Sequence, residues 1–491
     1  MSKQWAFCSI TELATALSEK EVSSRGLVEY FQDRISTLNP ALNAVVSHNF
    51  DAALARADEA DAAMARGESW GPLHGIPMTV KDTFEVVGMP CTAGASILAK
   101  HKPTTNAVTV QRLLDAGAII YGKTNVPKFA SDIQTYNKVY GQTNNPWDVT
   151  RTPGGSSGGA AASLAAGFSP IELGSDLAGS IRTPCHFCGV FGHKPSAGLV
   201  PFRGHIPGMP GTQAEPDMAV VGPMARTAGD LELMMDLLAD AGPLQADGWS
   251  FQLPATKTRS KSDWKVLLWL DDPLCSVDAS LKDVYMAMTE SLEQAGVKVT
   301  IGAPKNVSLM SFFPTYMSML GAVLSASIPL SARLASGLLG RIVGPLRKLL
   351  GVGVGSDEFL KGMAQSHSHW LRNNEYRFRL RNKFVTVFEQ YDVVLTPVAM
   401  LAALKHLNDK PVPKRKLLVN DESRAYTDMF MWIASASLTG LPATSAPVGL
   451  TKEGLPVGIQ IIGDFGRDRD TIQFAGVLEE VLGGFSAPPN F

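Results

Sequence analysis

Residues 169–182 read Ser169-Pro170-Ile171-Glu172-Leu173-Gly174-Ser175-Asp176-Leu177-Ala178-Gly179-Ser180-Ile181-Arg182. Within them PIELGSD reads as a buried strand that stops on a run of small residues, where the chain turns sharply. Working upstream, GGAAASLAAG (158–167) reads as a helix ending at glycine. AIIYGKTN (118–125) and GIPMTVKD (75–82) read as further buried strands, with a helix, AVTVQRLLDAG (107–117), between them. Downstream, WKVLLWL (264–270) is a strand, VYMAMTESLEQAG (284–296) a helix and VKVTI (297–301) a strand again. Strands alternating with helices predict an α/β layered sheet.

Residues 9–67 have a different pattern. Apolar positions recur at three- and four-residue spacing in SITELATALSEKE, RGLVEYFQDRIS and FDAALARADEADAAMARGE, which predicts helices. Ser9 and Glu12 form a capping box at the start of the first, and Asn39-Pro40 closes the second. The expected organisation is N-terminal helices over 1–67 packed on one large domain over 68–491.

The chain has 491 residues, of which 45% are hydrophobic and 18% charged, a balance that excludes wholesale disorder. Its 44 basic residues against 46 acidic ones leave a net charge of −2 without a basic stripe, so no nucleic-acid partner is expected. Five scattered cysteines (Cys8, Cys91, Cys185, Cys188, Cys275) fit a reducing compartment better than a disulfide framework. The N-terminal MSKQWAFCSITELATALSEKE meets charged residues too early for a signal-peptide apolar core, so a cytoplasmic location is expected. A surface connection is expected from about Gly242 to Asp263, where Pro, Ser, Thr and Lys accumulate.

Asn306–Ala332 carries no charged residue, but Pro314 and Pro329 interrupt it before one helix could span a bilayer. The following 334–353 mixes leucines with Arg341, Arg347 and Lys348, an amphipathic basic pattern that suits a membrane surface. A helical flap over about 306–370, packed on the core, is the preferred reading, because internal helices bury their apolar faces.

Two short texts carry chemistry. Thr152-Pro153-Gly154-Gly155-Ser156-Ser157-Gly158-Gly159 is a loop whose glycines turn hydroxyls and amides toward one point. It lacks the Gly-Lys-Ser/Thr ending of a nucleotide loop. The turn after PIEL exposes the Ser180 hydroxyl, and the amides of Leu177, Ala178, Gly179 and Ser180 can converge on an oxyanion. Such a serine needs a base. A lysine can serve if burial keeps it neutral, and Lys81, at the end of the apolar run GIPMTV, is placed for that. Read singly, Ser180 is a turn serine, Ser156 a linker serine and Lys81 a strand-end lysine.

Read together, GGSSGG, GSDLAGSIR and GIPMTVKD resemble the amidase signature family of Ser–cis-Ser–Lys hydrolases. PLHGIPMTVKD, AIIYGKTNVPKFA, YGQTNNPWD, FCGVFGHKPSAGLVP, VVGPMARTAGDL, YDVVLTPV and SLTGLPATSAPVG with GLPVGIQIIG also look like family blocks, in order from about residue 70 to the C-terminus. The resemblance implies a large mixed twisted β-sheet covered by helices on both faces, with 68–491 as the catalytic domain. It implies Ser180 as nucleophile, Ser156 as a bridging serine on a cis peptide after Gly155, and Lys81 as general base. Asp176 and Arg182 match positions that order the loop, and Ser157 is expected to hydrogen-bond within it. The family commonly has two glycines before the nucleophile; Ala178 replaces the first, and keeps its N–H donor only where its φ tolerates a Cβ.

The resemblance implies an amidohydrolase that cleaves a carboxamide, or a related ester or carbamate, without metal or organic cofactor. The apolar 306–350 suggests a hydrophobic small-molecule substrate. Two alternatives stand beside it: a glutamine-hydrolysing amidotransferase component, and a peripheral membrane protein acting on lipid amides through 334–353. A homodimer stays open. Cys185-His186-Phe187-Cys188 and His367-Ser368-His369 lack the further ligands of a metal site and read as structural. Met310, Met317 and Met319 read as packing. Gln134-Thr135-Tyr136 and Gly204-His205-Ile206-Pro207-Gly208 read as substrate-pocket walls.

Overall fold

The apolar runs pair into two main sheets in the computed structural model, which describes residues 5–242, 246–257 and 259–491. The smaller sheet joins β1 (Val45–His48), β2 (Pro77–Lys81) and β3 (Ile119–Thr124) in the order β1-β3-β2, with β2 parallel to β3. A short hairpin, β4 (Tyr136–Asn137) and β5 (Gly141–Gln142), follows. The larger sheet takes β6 (Ile171–Asp176), β7 (Phe191–Lys194), β8 (Val220–Ala225), β9 (Lys265–Leu268), β10 (Lys298–Ile301) and β11 (Val393–Pro397). After the hairpin of β12 (Lys416–Val419) and β13 (Glu422–Ala425), β14 (Ala443–Leu450) and β15 (Pro456–Ile462) complete it. Its eight strands run β10-β9-β11-β15-β14-β7-β8-β6, parallel among β10, β9 and β11 and antiparallel beyond. β6 is thus an edge strand, and it packs beside β2 of the smaller sheet.

At the N-terminus, α1 (Ile10–Ser18) begins with the expected capping box: Ser9 Oγ accepts from the Glu12 amide and Glu12 Oε2 from the Ser9 amide. α2 (Ser24–Leu42) runs on through Pro40 instead of stopping before it. Pro40 sits in the last turn, where the missing N–H costs a single helical bond, and Asn43 closes the helix with a left-handed φ of 53°. α3 (Phe50–Ala65) packs on α2 and β3, stacking Phe50 and Phe31 on Tyr121.

α4 (Val108–Asp115), α5 (Gly158–Ala165) and α8 (Ala279–Gln294) form where helices are expected, and α6 (Arg182–Cys188) and α7 (Ala228–Leu238) are further helices beyond those expected. Helices flank the large sheet, with α6 and α8 against β14 and α7 against β8. The described part of the 242–263 connection carries one short 3-10 turn, Lys261–Asp263; residues 243–245 and 258 lie outside the described residues, as do residues 1–4.

The charge-free segment forms α9 (Leu309–Leu324), which buries Phe312, Phe313, Tyr316, Met317 and Met319; Met310 instead faces solvent. α10 (Leu330–Leu350) does not bury its apolar face as expected: Leu334, Leu338, Ile342 and Leu349 are exposed, and only Gly340 and Val343 are buried. The reason lies in its glycines. Gly337, Gly340 and Gly344 bring α10 against Ala364, Leu360 and Asp357 of the segment around α11 (Ser356–Met363), so the small face turns inward and the leucines turn out. α12 (His367–Val385), α13 (Ala434–Thr439) and α14 (Asp468–Leu482) complete the helices, α14 lying against β14 and α13 against α9. Among the described residues, no helix is long and apolar enough to cross a membrane.

α9 and α11 cross with backbones in contact. A Cβ on Gly362 would stand 2.0 Å from the Ser318 carbonyl oxygen, and one on Gly321 2.2 Å from that of Phe359. Gly362→Leu should force the helices apart at a cost of about 1–3 kcal/mol. The expected readout is a lower urea midpoint, with no change for Gly302→Ala, whose Cβ would meet open space.

Candidate active site

Lys81 ends β2 and is fully buried, because β2 and the edge strand β6 close over it. Its Nζ lies 2.8 Å from Ser156 Oγ, 2.9 Å from Ser175 Oγ and 3.4 Å from the Ser175 carbonyl oxygen. Ser156 follows a cis peptide bond from Gly155. Its neighbour Ser157 donates its amide to the Ser180 carbonyl at 3.1 Å and its hydroxyl to the Ser175 carbonyl at 3.5 Å. Lys81, Ser156 and Ser180 therefore gather from three separate stretches of chain. Ser180, on the turn after β6, is 8% exposed against 1% for Ser156, so it is the alcohol nearer solvent.

Burial pushes the Lys81 ammonium down to about 7, against the pull of the Asp176 and Glu172 carboxyls. Glu172 weakens that pull, since its own burial raises it to about 8 despite hydrogen bonds from Thr79 and the Leu173 amide. Its Oε1 accepts from the Thr79 hydroxyl and so bridges β6 to β2.

The turn itself is shaped by Asp176. Its Oδ1 accepts from the Gly179 amide at 2.9 Å and its Oδ2 from the Ile181 amide at 3.1 Å. Arg182 closes a bidentate pair on it, Nε to Oδ2 at 3.0 Å and a terminal nitrogen to Oδ1 at 2.9 Å. The same guanidinium donates to Ser437 Oγ at 2.7 Å, Gln460 Oε1 at 2.9 Å and the Ile433 carbonyl at 3.2 Å, tying the turn to α13 and β15. Burial alone would raise the Asp176 carboxyl, but Arg182, Lys194 and the Ile181 amide outweigh it and hold it at about 2. Ala178 sits at negative φ and bears its Cβ without strain; Gly179 carries the left-handed φ of +83°. Of the four turn amides, that of Gly179 is already given to Asp176.

Gly155 is enclosed by backbone. A Cβ there would stand 2.7 Å from the Asp132 carbonyl oxygen and 3.0 Å from the Gln134 nitrogen. That segment is held by Asp132, which accepts from Arg415 at 2.7 Å, Tyr426 at 2.7 Å and Tyr136 at 3.1 Å. Thr135 donates its hydroxyl to the Gly154 carbonyl, and Gln134 Oε1 accepts from the Leu407 amide. Of the residues expected as pocket walls, Thr135 braces the glycine loop and Gln134 is bound to the Leu407 amide.

Three groups gather around Lys81 that the sequence did not place there: Glu172, Ser175 and the ring of His205, whose Nε2 lies 2.8 Å from Ser175 Oγ. The signal for Glu172 was a carboxyl inside an otherwise apolar strand. Cys185 and Cys188 are buried in α6, with Cys188 Sγ on the Pro153 carbonyl; His186 contacts the Leu401 carbonyl and accepts from the Gly458 amide. Among the described residues, no group of three or more His, Cys, Asp or Glu side chains is placed to hold a metal ion.

A family model described as Amidase matches residues 26–472. The chain is 30% identical over 520 residues to a glutamyl-tRNA(Gln) amidotransferase subunit from Alkaliphilus metalliredigens, covering 98% of each chain. It is 31% identical over 494 residues to a protein of the same description from Heliobacterium modesticaldum, again covering 98% of each. Among solved structures, a bacterial aryl acylamidase of the amidase signature enzymes superposes with a TM-score of 0.80 at 25% identity, over 98% of this chain and 97% of that one.

Arg182→Leu should leave Asp176 buried without its guanidinium counter-charge, destabilising the fold by about 3–5 kcal/mol in chemical denaturation near neutral pH. Asp176 is depressed, so its stabilising contribution is present above the ordinary value of 3.8 and is lost as pH falls through about 2. The wild-type protein should therefore lose stability over that acid window, and Arg182→Leu should lose less.

Proposed function

We propose that this chain, which belongs to the amidase family, hydrolyses the C–N bond of a carboxamide bearing apolar groups, with Ser180 as nucleophile, Ser156 as proton bridge and Lys81 as base. The observation that carries this is the fully buried Lys81 amine, lowered to about 7 and 2.8 Å from Ser156 Oγ. Neutral Lys81 takes the Ser156 proton as Ser156 takes that of Ser180, and Ser180 Oγ bonds to the carbonyl carbon. The resulting oxyanion is stabilised by the amides of Leu177, Ala178 and Ser180. The proton then returns from Lys81 through Ser156 to the amide nitrogen, the C–N bond breaks and the amine departs. Water attacks the acyl-enzyme, giving its proton along the same path, and the carboxylic acid leaves as Ser180 regains its hydrogen.

An apolar substrate is favoured by the surroundings. The Ile433 side chain lies 3.3 Å from where a Gly179 Cβ would stand, and charge-free α9 packs on α13 just beyond it. The relatives favour a second activity, release of ammonia from glutamine for a partner enzyme. Free glutamine brings an ammonium and a carboxylate, and Asp176 and Arg182 are spent on each other. Hydrolysis of aryl and alkyl amides, run beside glutamine and a Ser180→Ala control, separates the two: faster turnover of glutamine would overturn the apolar assignment.

Lys81→Ala should lower kcat by about 10²–10⁴-fold; near-wild-type turnover would show the base lies elsewhere. The base works deprotonated, so kcat in the wild type should fall as pH drops through about 7.

The exposed leucine face of α10, flanked by Arg341, Arg347 and Lys348 with no acidic residue in the helix, supports contact with an anionic membrane surface. Flotation with phosphatidylglycerol vesicles should carry the wild type upward. The triple variant Leu338→Glu, Ile342→Glu, Leu349→Glu should stay below while still hydrolysing a soluble amide. A dimer in lipid-free buffer that the same variant splits would instead assign the face to a second copy. The buried thiols of Cys91, Cys185, Cys188 and Cys275 suit a reducing cytoplasm.

A further inference from the structure

The segment leaving β2 after Lys81 is flanked by residues 204–206. Phe84 and His205 form an antiparallel bridge, the Glu85 amide donates to the Gly204 carbonyl at 2.9 Å, and the Ile206 amide to that of Thr83 at 2.7 Å. This ladder seats the His205 ring between Phe84 and Phe202, with centroids 4.8 and 4.3 Å away, and leaves it 5% exposed. Nε2 then lies 2.8 Å from Ser175 Oγ, which lies 2.9 Å from Lys81 Nζ.

We propose that His205 is a positioning residue for Lys81, acting through Ser175: its Nε2 accepts the hydrogen bond of the Ser175 hydroxyl, so that Ser175 Oγ accepts from the amine and the amine's lone pair is left for Ser156. This rests on the Ser180–Ser156–Lys81 assignment above. A neutral amine has two N–H groups and one lone pair. If the lone pair is to receive the Ser156 proton, both N–H groups need acceptors, and Ser175 supplies them through its Oγ and its carbonyl oxygen. The Ser175 proton must then point away from Lys81, and His205 Nε2 is the acceptor beside it. The bond to Ser175 Oγ is the ring's one hydrogen bond among the described residues, and accepting there places the ring proton on Nδ1, which has no partner among them. Burial holds the imidazole well below its ordinary range, so it stays neutral. Without it, the Ser175 proton turns onto the Lys81 lone pair and competes with Ser156.

The test compares His205→Leu, His205→Gln, Ser175→Ala and the double variant Ser175→Ala, His205→Leu on one hydrolysable amide, with melting curves alongside. His205→Leu should lower kcat by about tenfold to a hundredfold, with KM nearly unchanged. It should also move the acid limb of the kcat profile to lower pH, because a competing hydroxyl donor disfavours the ammonium. His205→Gln, whose carbonyl oxygen accepts, should recover most of the loss, and adding His205→Leu to Ser175→Ala should cost nothing more. Should His205→Leu fail to fold, His205→Gln against Ser175→Ala carries the comparison, with a deficit expected only in the latter. Wild-type kcat and pH profile in His205→Leu would overturn the proposal, as would equal losses in the Leu and Gln variants or losses that multiply in the double variant. Lys81→Ala run in parallel distinguishes the two failures: an active Lys81→Ala removes the base assignment itself, whereas an inactive one beside an unaffected His205→Leu removes only the role of His205.

Discussion

A lysine side chain taken out of water at the end of β2 is the constraint on which the site depends. An ammonium in that position would need a full counter-charge, and the nearby carboxyls do not supply one. Asp176 is bound to Arg182, and Glu172 is itself raised by burial to about 8. The amine is left to be satisfied by hydroxyl and carbonyl oxygens, which stabilise a neutral donor well and a cation poorly. The site is thus built from hydrogen-bond geometry rather than from ion pairing, which is why Ser175 and the glycine loop matter as much as Lys81.

Two sheets have to meet for that geometry to exist. Lys81 comes from the small sheet and Ser175 from the edge of the large one, and the loop that carries Ser156 is held beside them by the close backbone approach of Gly155 to Asp132–Gln134. The Asp176–Arg182 pair then fastens the turn to Ser437 and Gln460, far along the chain. Residues from the first, second and last parts of the sequence therefore meet at this turn.

Much of this was legible in the sequence. The capping box at Ser9, the strands ending at Lys81 and Asp176, and the α8 helix between two strands follow from periodicity and end signals that act locally. The mixed sheet flanked by helices follows from the family resemblance. Pro40 inside α2 misled because its cost depends on how close the helix end lies, which tertiary contacts decide. α10 misled for a related reason: composition marks an apolar face, but small residues can claim the packed side and turn the leucines outward. The pairing of Ser175 with His205 leaves no local signal, since a strand serine and a loop histidine gain this meaning only when the chain brings them within 2.8 Å of each other.

The unequal burial of the two alcohols has a chemical corollary. A bulky electrophilic reagent, such as a sulfonyl or phosphoryl fluoride, meets Ser180 at 8% exposure before Ser156 at 1%. Covalent modification should therefore fall on a single oxygen even though its neighbour is in direct contact with the amine. Selectivity between twin hydroxyls then comes from access alone, and inhibitor shape can be tuned without regard to the inner one.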